Sequence, residues 1–271
     1  MANTNSIDPH KVADHEHQAW QGAAPLYEEY ISFMTACSGQ LELVHEVSGI
    51  SDDSVILDVG CGPGLLAAQL APMVKSVVGI DFASNMIAEA RSRFPDIEFH
   101  HADAENTPFD DHTFDCVILN YCAHHLARPE RAFQELRRII KPAGRIVILH
   151  PIQSRQACWG SFLKALLEEL PPETNPSGPL LNIEEPEDYV SLLKSCGFVA
   201  AKCEVRVKPV EAESVNLLLT AAWAVTGLYE QPKEVQERIR AGTIMNTSQY
   251  ARPDGGYHFP DEVLLAWAEV R

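Results

Sequence analysis

Short apolar runs along the chain alternate with stretches in which apolar residues recur every three or four positions. The apolar runs span 55–59, 76–81, 97–101, 114–120 and 145–150. Their length and near-continuous apolar character predict β-strands that are buried on both faces. The periodic stretches span 65–74, 85–93 and 130–140. Because strands alternate with helices here, we expect a parallel sheet covered by helices on both faces.

The remaining segments extend this pattern to the C-terminus. Ser84 is a candidate cap for the helix at 85–93, and the KPAG stretch at 141–144 predicts a turn. Further helices are predicted at 19–50, 161–170, 186–196, 213–229 and 232–241, and further strands at 199–207 and 262–270. The fold class that follows is α/β, with a Rossmann-like, mostly parallel sheet of seven strands.

The domain organisation follows from where the strands begin. We expect residues 1–50 to form a polar tail followed by helices, and residues 51–271 to form one α/β domain. The helices at about 158–182 and 211–250 are predicted to be a late insertion that forms a cap over the sheet rather than a separate domain. A chain of 271 residues has room for one domain with such an insertion.

The charge and cysteine content narrow the possible partners. The chain has 38 acidic residues against 21 Lys and Arg, a formal net charge of −17, which disfavours nucleic acid and anionic lipid as partners. Its seven cysteines include no C-x-x-C pair, so a disulfide framework or zinc ribbon is not expected.

The polar N-terminus has no signal-peptide core, and the apolar stretch 215–228 is too short and polar for membrane insertion. We expect a cytoplasmic protein.

The first predicted strand runs into a loop that is almost free of side chains. Residues 55–64 read VILDVGCGPG. Gly60, Gly62 and Gly64 allow a tight turn and a close approach of the backbone to a ligand. The helix that follows adds unpaired N–H groups at its N-terminus. At the carboxyl end of a parallel strand, this arrangement is typical of a nucleotide-like ligand site.

Acidic residues follow the next two predicted strands. Asp81 ends the second strand, and Asp103 follows the third strand after Ala102. A carboxylate at the first position can accept both hydroxyls of a ribose, and one at the second can accept from an exocyclic amine. The three loops therefore describe an adenosine site. The glycine spacing, G-x-G-x-G, differs from the dinucleotide fingerprint and no P-loop lysine follows, so a nicotinamide oxidoreductase is not expected.

Four successive stretches resemble a known family. They are ILDVGCGPG, GIDFASNMIAEAR, ADAENTPFDDHTFDCVILN and HHLARPERAFQELRRIIKPAGRIVI, which together cover roughly residues 50–151. In order and spacing they resemble the motifs of class I S-adenosylmethionine-dependent methyltransferases, above all the small-molecule enzymes of the ubiquinone/menaquinone methyltransferase type. The resemblance implies the class I methyltransferase sheet, S-adenosyl-L-methionine as cofactor, and N-terminal helices that cover the cofactor site.

The resemblance also implies which residues hold the methionine end of the cofactor. They are Tyr27, Asp58, Gly60, Cys61, Gly62 and Asn120. The backbone of the glycine loop would lie against the methionine, with Asp58 holding the loop or the amino group. Asn120 would present its carbonyl to the same amine, and Tyr27 would close over the carboxylate. For Asp58, the role of a purely structural loop anchor is an open alternative.

The adenosine end is assigned in the same way. By resemblance, Asp81 would bind the ribose, and Phe82 and Met86 would flank the adenine. Asp103 would accept from the adenine amine, and the Ala104 N–H would donate to the ring. An equally good interpretation of Phe82 and Met86 is that they are core residues. For Asp81 we favour the ligand role, because a strand-end acid has little reason to be packed inside a protein.

Two histidines are candidates for catalysis. His124 and His125 follow the fourth predicted strand, on the loop expected to face the transferring methyl group. An imidazole titrates near neutrality and can remove a proton from an acceptor. Methyl transfer from a sulfonium also proceeds without a base when the acceptor is a good nucleophile, so both residues can instead contact substrate or be structural. No group of residues has metal-ligand spacing, and no metal is expected.

The acceptor is expected to be a small and rather apolar molecule. The predicted cap carries the large apolar residues Trp159, Phe162, Leu217, Leu218, Trp223 and Tyr229. They either form the cap's own core or line an apolar pocket. We favour an O-, N- or C-directed small-molecule methyltransferase of secondary or quinone-like metabolism. The alternatives are a cofactor-binding protein with cyclase-like chemistry and a non-catalytic partner subunit, since fold alone does not fix function.

Overall fold

The structure, a computed structural model, describes residues 8–14, 41–170, 180, 183–226, 228 and 231–271. Within this part of the chain, two compact units are distinguished by their internal packing. The larger unit contains 41–150, 180, 183–206 and 263–271, and the smaller unit contains 8–14, 151–170, 207–226, 228 and 231–262. Tyr27 lies outside the described residues, as do the predicted helices between 19 and 40.

A seven-stranded sheet forms the centre of the larger unit. Its strands are β1 (Val55–Val59), β2 (Ser76–Asp81), β3 (Glu98–His101), β4 (Phe114–Asn120), β5 (Ile140–Pro151), β6 (Val199–Val207) and β9 (Glu262–Glu269). They are arranged in the order β3-β2-β1-β4-β5-β9-β6. The pairs β1–β2, β1–β4, β2–β3 and β4–β5 are parallel. The predicted α/β fold with a mostly parallel seven-stranded sheet is confirmed.

The central strands are buried because their apolar residues face helices on both sides. Leu57 in β1 and Val117 in β4 are fully buried, as are their neighbours along both strands. The covering helices are α1 (Leu41–Ser48), α2 (Leu65–Leu70), α3 (Ser84–Arg93), α4 (Pro129–Ile139) and α6 (Pro186–Ser195). In α4, Phe133 and Leu136 lie on one face and are fully buried, as the helical spacing predicted.

Strand order brings the functional loops to one edge of the sheet. Because β1 lies between β2 and β4 and all three are parallel, the loops after Val59, Asp81 and Asn120 leave from the same edge. In parallel sheets, ligands bind at this carboxyl edge, where the strand order reverses on either side of the first strand. The topology alone therefore places the glycine loop next to both the Asp81 loop and the histidine loop.

The smaller unit has its own helices and a short two-stranded sheet. The helices are α5 (Ala157–Glu169), α7 (Val215–Thr226) and α8 (Lys233–Thr247), and the strands are β7 (Val210–Ala212) and β8 (Tyr257–Phe259). The ring of Phe162, which is buried, lies 5.3 Å from that of Trp159 and 6.2 Å from that of Trp223. These large residues thus contribute to the unit's own core. Tyr229 lies outside the described residues.

Three local predictions differ from the structure. The helix predicted at 65–74 ends at Leu70 and continues as a 3-10 turn, because Pro72 has no N–H to donate. The helix after β2 begins at Ser84 itself, with Ala83 in the capping position, so Ser84 is not its cap. Strands β7 and β8 were missed because three residues each are too few to show a pattern.

The predicted KPAG turn also differs, since it lies within β5. The backbone does bend there, and Ala143 has a positive φ of 63°. However, the Ala143 N–H donates to the Val270 carbonyl at 2.8 Å, and the Val270 N–H donates to the Gly144 carbonyl at 3.0 Å. Turn-forming residues are therefore kept in a strand by pairing with the distant C-terminus, which local sequence does not reveal. No helix in the described segments is both long enough and apolar enough to cross a membrane.

Replacing Leu136 by Ala tests the buried face of α4. Leu136 has no exposed surface, so Leu136→Ala should lower the free energy of unfolding by about 2–5 kcal/mol in guanidinium denaturation. Leu167, also helical, is 54% exposed, and Leu167→Ala should change the free energy by less than about 0.5 kcal/mol. Equal losses in the two variants would contradict the packing described for α4.

Candidate functional site

The glycine loop after β1 depends on backbone conformations that only glycine adopts easily. Gly60, Gly62 and Gly64 have φ values of 65°, 52° and 82°, in the left-handed region that disfavours other residues. A Cβ on Gly60 would lie 2.5 Å from the Cβ of Cys122. A Cβ on Gly62, by contrast, would meet no described atom within 4 Å. The loop is therefore packed against the end of β4 at Gly60 and open at Gly62.

The ring of Phe99 packs against this loop. A Cβ on Gly64 would lie 2.7 Å from Cζ of Phe99, and a Cβ on Gly79 would lie 2.5 Å from its Cδ1. Phe99 belongs to β3 and is buried, whereas Gly79 lies opposite Asp58 in the β1–β2 pairing. The absence of side chains at two separate glycines thus creates the space for a single phenylalanine.

Asp81 joins the ends of β1 and β2. Its Oδ2 accepts a hydrogen bond from the Gly62 N–H at 2.9 Å, and its Oδ1 accepts one from the Ala83 N–H at 2.8 Å. The residue is 7% exposed. Burial raises its pKa, whereas the bonds to Ala83 and Gly62 oppose that rise. Asp81 therefore has a packing role that the sequence did not indicate, yet each oxygen keeps a further lone pair for a ribose hydroxyl.

Asp58 is a buried acid in the middle of the sheet. It is 1% exposed, and its pKa is raised from 3.8 to about 7, mainly by burial and then by the charge of Asp81, against a hydrogen bond from the Ala67 backbone. Its Oδ2 has no hydrogen-bond partner among the described residues. A buried carboxylate oxygen without a partner is unfavourable, so a cationic ligand at this position would stabilise the ionised form.

A second set of residues positions the loop after β3. Asp103 is exposed, and its Oδ1 accepts the Glu105 N–H at 2.9 Å. Glu105 is buried, and its Oε2 lies 2.7 Å from Nε of Arg128. Ala104, between the two acids, is half-buried. The Glu105–Arg128 ion pair thus holds the loop, while the Asp103 side chain stays at the surface. There the amine of a ligand can reach the Asp103 carboxylate.

Phe82 and Met86 differ in their burial. Phe82 is half-buried, and its carbonyl oxygen lies 2.9 Å from Nε2 of His101. Met86, on α3, is 2% exposed. Met86 is thus a core residue in this structure. That these two side chains flank an adenine stays a prediction.

The end of β4 is tied to the end of β1. The Cys122 thiol donates a hydrogen bond to the Val59 carbonyl at 2.9 Å, and burial raises the thiol's pKa well above its usual range, so it stays protonated. Tyr121, between Cys122 and Asn120, has a φ of 54°, a conformation in which a bulky residue is strained. Oδ1 of Asn120 is buried and has no partner in the described parts of the chain.

The two candidate catalytic histidines lie in a 3-10 turn at Ala123–His125. Their ring centroids are 4.0 Å apart. Nδ1 of His124 is buried and makes no hydrogen bond to any described residue. Burial, followed by the neighbouring rings of His125 and His150, lowers the pKa of His124 well below its usual range. His124 is therefore neutral at physiological pH.

A third histidine, which sequence reasoning missed, lies beside this pair. His150, near the end of β5, is fully buried, and its Nδ1 is 2.9 Å from the hydroxyl of Tyr189 on α6. Its ring meets that of His124 edge-on, with centroids 5.6 Å apart. The sequence did contain a signal for His150. It is a polar residue at the carboxyl end of a predicted strand, and the same feature identified Asp81.

Several of these features fit the amino-acid end of S-adenosylmethionine. Asp58 Oδ2 and Asn120 Oδ1 are buried acceptors that lack partners among the described residues, and an ammonium group needs such acceptors. The open face at Gly62 lets a ligand approach the backbone. Across the residues that the structure describes, no group of three His, Cys, Asp or Glu side chains could hold a metal ion. The individual roles of the site residues stay predictions.

Comparison with known proteins identifies this part of the chain. Residues 57–148 match the family model described as a methyltransferase domain. Their match begins within β1 and ends within β5, and so includes the glycine, acid and histidine loops.

Curated relatives and solved structures extend the comparison. A demethylmenaquinone methyltransferase of Clavibacter sepedonicus is 35% identical over 122 residues, which are 42% of this chain and 50% of that protein. The chain thus spans about half the length of that relative. A demethylmenaquinone methyltransferase of Paenarthrobacter aurescens is 27% identical over 73% of this chain and 70% of its own length. The YcgJ protein of Bacillus subtilis shares the fold, with a TM-score of 0.58, 17% identity and coverage of 86% of this chain and 98% of its own.

The raised pKa of Asp58 predicts how stability depends on pH. Because the native pKa is about 7 instead of 3.8, the native state keeps a proton that the unfolded chain loses between about pH 4 and pH 7. The contribution of Asp58 to the free energy of unfolding is therefore largest below about pH 4 and declines as the pH rises to about 7. Asp58→Asn mimics the protonated acid and has no proton to lose.

Denaturant unfolding at several pH values, without cofactor, measures this effect. The free energy of unfolding of Asp58→Asn relative to the native protein should increase by roughly 2–4 kcal/mol between about pH 4 and pH 7. Asp96→Asn, at an exposed loop position, serves as the control and should show no such trend. A difference between Asp58→Asn and the native protein that is independent of pH would contradict the raised pKa.

Proposed function

We propose that the protein transfers a methyl group from S-adenosyl-L-methionine to an O, N or C nucleophile of a small, rather apolar metabolite. The observation that carries the proposal is the pair of buried acceptors, Asp58 Oδ2 and Asn120 Oδ1, without partners among the described residues. They lie at one edge of the sheet with the open glycine loop. The methyltransferase domain at residues 57–148 supports the same interpretation.

The residues of the site divide between the two ends of the cofactor. Asp58, Asn120 and the backbone at residues 60–62 hold the amino-acid end, where the buried acid pairs with the ammonium group. Asp81 holds the ribose while its existing bonds to Gly62 and Ala83 fix the loop that surrounds it. Asp103 and Ala104 bind the adenine edge from the loop after β3. In the same proposal, Tyr27 closes over the carboxylate.

The chain's contribution to the reaction is mainly positional. The bound cofactor supplies a methyl group on a sulfonium, which needs no further activation. The protein must align the acceptor in line with that methyl group and exclude water. His124 and His125 lie on the loop after β4, where they can contact the acceptor. Where the acceptor must lose a proton, a neutral imidazole is in the form that accepts one.

The nature of the acceptor is inferred from relatives and from charge. Curated relatives named as demethylmenaquinone methyltransferases favour a quinone-like acceptor. The net charge of −17 disfavours nucleic acid as the substrate. The aromatic residues of the smaller unit do not strengthen this argument, because Trp159, Phe162 and Trp223 pack on one another.

A location in the cytoplasm is part of the same proposal. Each of the six cysteines that the structure describes is a free thiol, as expected in a reducing compartment. Cyclase-like chemistry and a non-catalytic role have no observation in their favour among the described residues.

Calorimetric titration with S-adenosylhomocysteine tests the cofactor assignment. The native protein should bind one equivalent and should not bind NADH, because its glycine spacing is not that of a dinucleotide site. Asp81→Ala should weaken S-adenosylhomocysteine binding at least about 100-fold, because it removes the ribose acceptor and releases the Gly62 N–H. Asp96→Ala, which removes an exposed acid elsewhere, should bind like the native protein.

The melting temperature of each variant separates loss of binding from loss of fold. A folded Asp81→Ala variant that binds S-adenosylhomocysteine normally would contradict the assignment of Asp81. A folded native protein that does not bind this ligand at all would contradict the proposed function.

A further inference from the structure

A buried tyrosine and a buried histidine form a pair next to the histidine turn. Tyr189 and His150 are both fully buried, and the Tyr189 hydroxyl lies 2.9 Å from Nδ1 of His150. Buried polar groups of this kind are almost always hydrogen-bonded. On the other side of the same ring, Nε2 of His150 is buried and has no partner among the described residues.

The direction of the Tyr189–His150 hydrogen bond follows from counting donors and acceptors. Burial raises the pKa of Tyr189 well above its usual range, so the hydroxyl keeps its proton. If that proton is donated to Nδ1 of His150, the neutral imidazole carries its own proton on Nε2. In the opposite direction, Nδ1–H of His150 would donate to the tyrosine oxygen. Both the tyrosine hydrogen and Nε2 of His150 would then be unpaired. The first arrangement leaves fewer buried groups unpaired, so His150 presents Nε2–H.

His124 is a neighbouring group that could accept from this N–H. Nδ1 of His124 is also buried without a partner in the described chain, and the two rings are perpendicular, at 89°, with centroids 5.6 Å apart. Two imidazoles joined by an N–H···N hydrogen bond have centroids about 5 Å apart. A rotation of the His124 ring that brings its Nδ1 to His150 Nε2–H would satisfy both buried atoms with one hydrogen bond.

We propose that Tyr189, His150 and His124 form a directed hydrogen-bond relay that fixes His124 as a neutral donor, with its Nε2–H presented to an oxygen of the methyl acceptor. Tyr189 and His150 are positioning residues that act through His124. Because Nδ1 of His124 accepts a hydrogen bond, its only proton is on Nε2, so His124 donates to the acceptor and does not serve as a base. Of the two histidines, only His125 then remains a candidate base.

The relay also defines the chemical class of the ligand. A neutral N–H donor recognises an oxygen that accepts hydrogen bonds, such as a carbonyl, phenolate or enolate oxygen next to the methylated atom. Burial lowers the pKa of His150 to about 4, so no positive charge of the relay opposes the sulfonium. The naming of this ligand rests on the proposed function, whereas the hydrogen bonds of the relay do not.

Nitrogen-15 NMR of histidine-labelled protein at pH 7 tests the relay without any ligand. Signals of the relay are assigned with His124→Gln and His150→Gln. The native protein should show His124 and His150 as neutral rings protonated on Nε2, with a nitrogen–nitrogen coupling between His150 Nε2 and His124 Nδ1 through the hydrogen bond. A His124 protonated on Nδ1, a charged His124 or the absence of this coupling would overturn the relay.

Two tyrosine variants examine the first hydrogen bond. Tyr189→Phe removes the hydroxyl that donates to Nδ1 of His150. The nitrogen-15 signal of this Nδ1 should then move to the position of an imidazole nitrogen that accepts no hydrogen bond. Tyr257→Phe, which removes a half-buried hydroxyl of the smaller unit, should leave the signals of His124 and His150 unchanged. An unchanged His150 Nδ1 signal in folded Tyr189→Phe would overturn the assigned donor. If Tyr189→Phe does not fold, the native spectrum alone decides.

A phenolate probe tests the ligand. With the protein saturated by S-adenosylhomocysteine, 4-nitrophenolate should shift the Nε2–H proton of His124 downfield, and the absence of any shift would overturn the assignment of an oxygen ligand. Failure of the proposed function would be distinguishable, because it would appear as the absence of S-adenosylhomocysteine binding in calorimetry while the coupling between His150 and His124 persisted.

Discussion

The bonds from the Asp81 carboxylate to two backbone N–H groups are the interaction on which the site depends. One donor belongs to the loop after β1 and the other precedes α3, so a single side chain sets the position of two loops that come from different strands. The carboxylate is nearly inaccessible to water, and hydrogen bonds to a charged group in such surroundings are stronger than those between neutral groups. The glycines provide the conformational freedom, and Asp81 selects one conformation.

The Asp81 carboxylate also acts on Asp58. Burial is the main cause of the raised pKa of Asp58, and the charge of Asp81 raises that pKa further. Without a ligand, protonation is the way to avoid two buried negative charges. In the proposed function, a bound ammonium group would instead stabilise the ionised acid, so cofactor binding would be coupled to deprotonation of Asp58. The site is therefore less favourable electrostatically when empty than when it holds a cation.

Sequence reasoning predicted the parts of the structure in which local pattern and packing agree. The buried strands β1 and β4 and the buried face of α4 were predictable because their apolar spacing matches their environment. The glycine loop was predictable because closely spaced glycines favour a turn over a strand or a helix. The pairing of the KPAG segment and the contact of His150 with Tyr189 were not predictable, because each depends on residues distant in the chain. Strands β7 and β8 were not predictable because three residues are too few to show a pattern. The position of Asp81 at a strand end was predictable, but its structural role appears only once the Gly62 N–H is seen to reach it.

The ring of Phe99 below the glycine loop has an evolutionary consequence. It occupies the space left by Gly64 and Gly79 together, with contacts of 2.7 and 2.5 Å to the Cβ positions that those residues lack. A larger residue at position 79 requires both the loss of the ring at position 99 and a shift of the Cys61 thiol, whose Sγ would lie 2.9 Å from the new Cβ. Losing the ring first leaves a cavity. Each change is harmful alone, and the change at position 79 is less harmful once the ring is gone. Lineages of such proteins would therefore change positions 79 and 99 together, although the two lie on different strands.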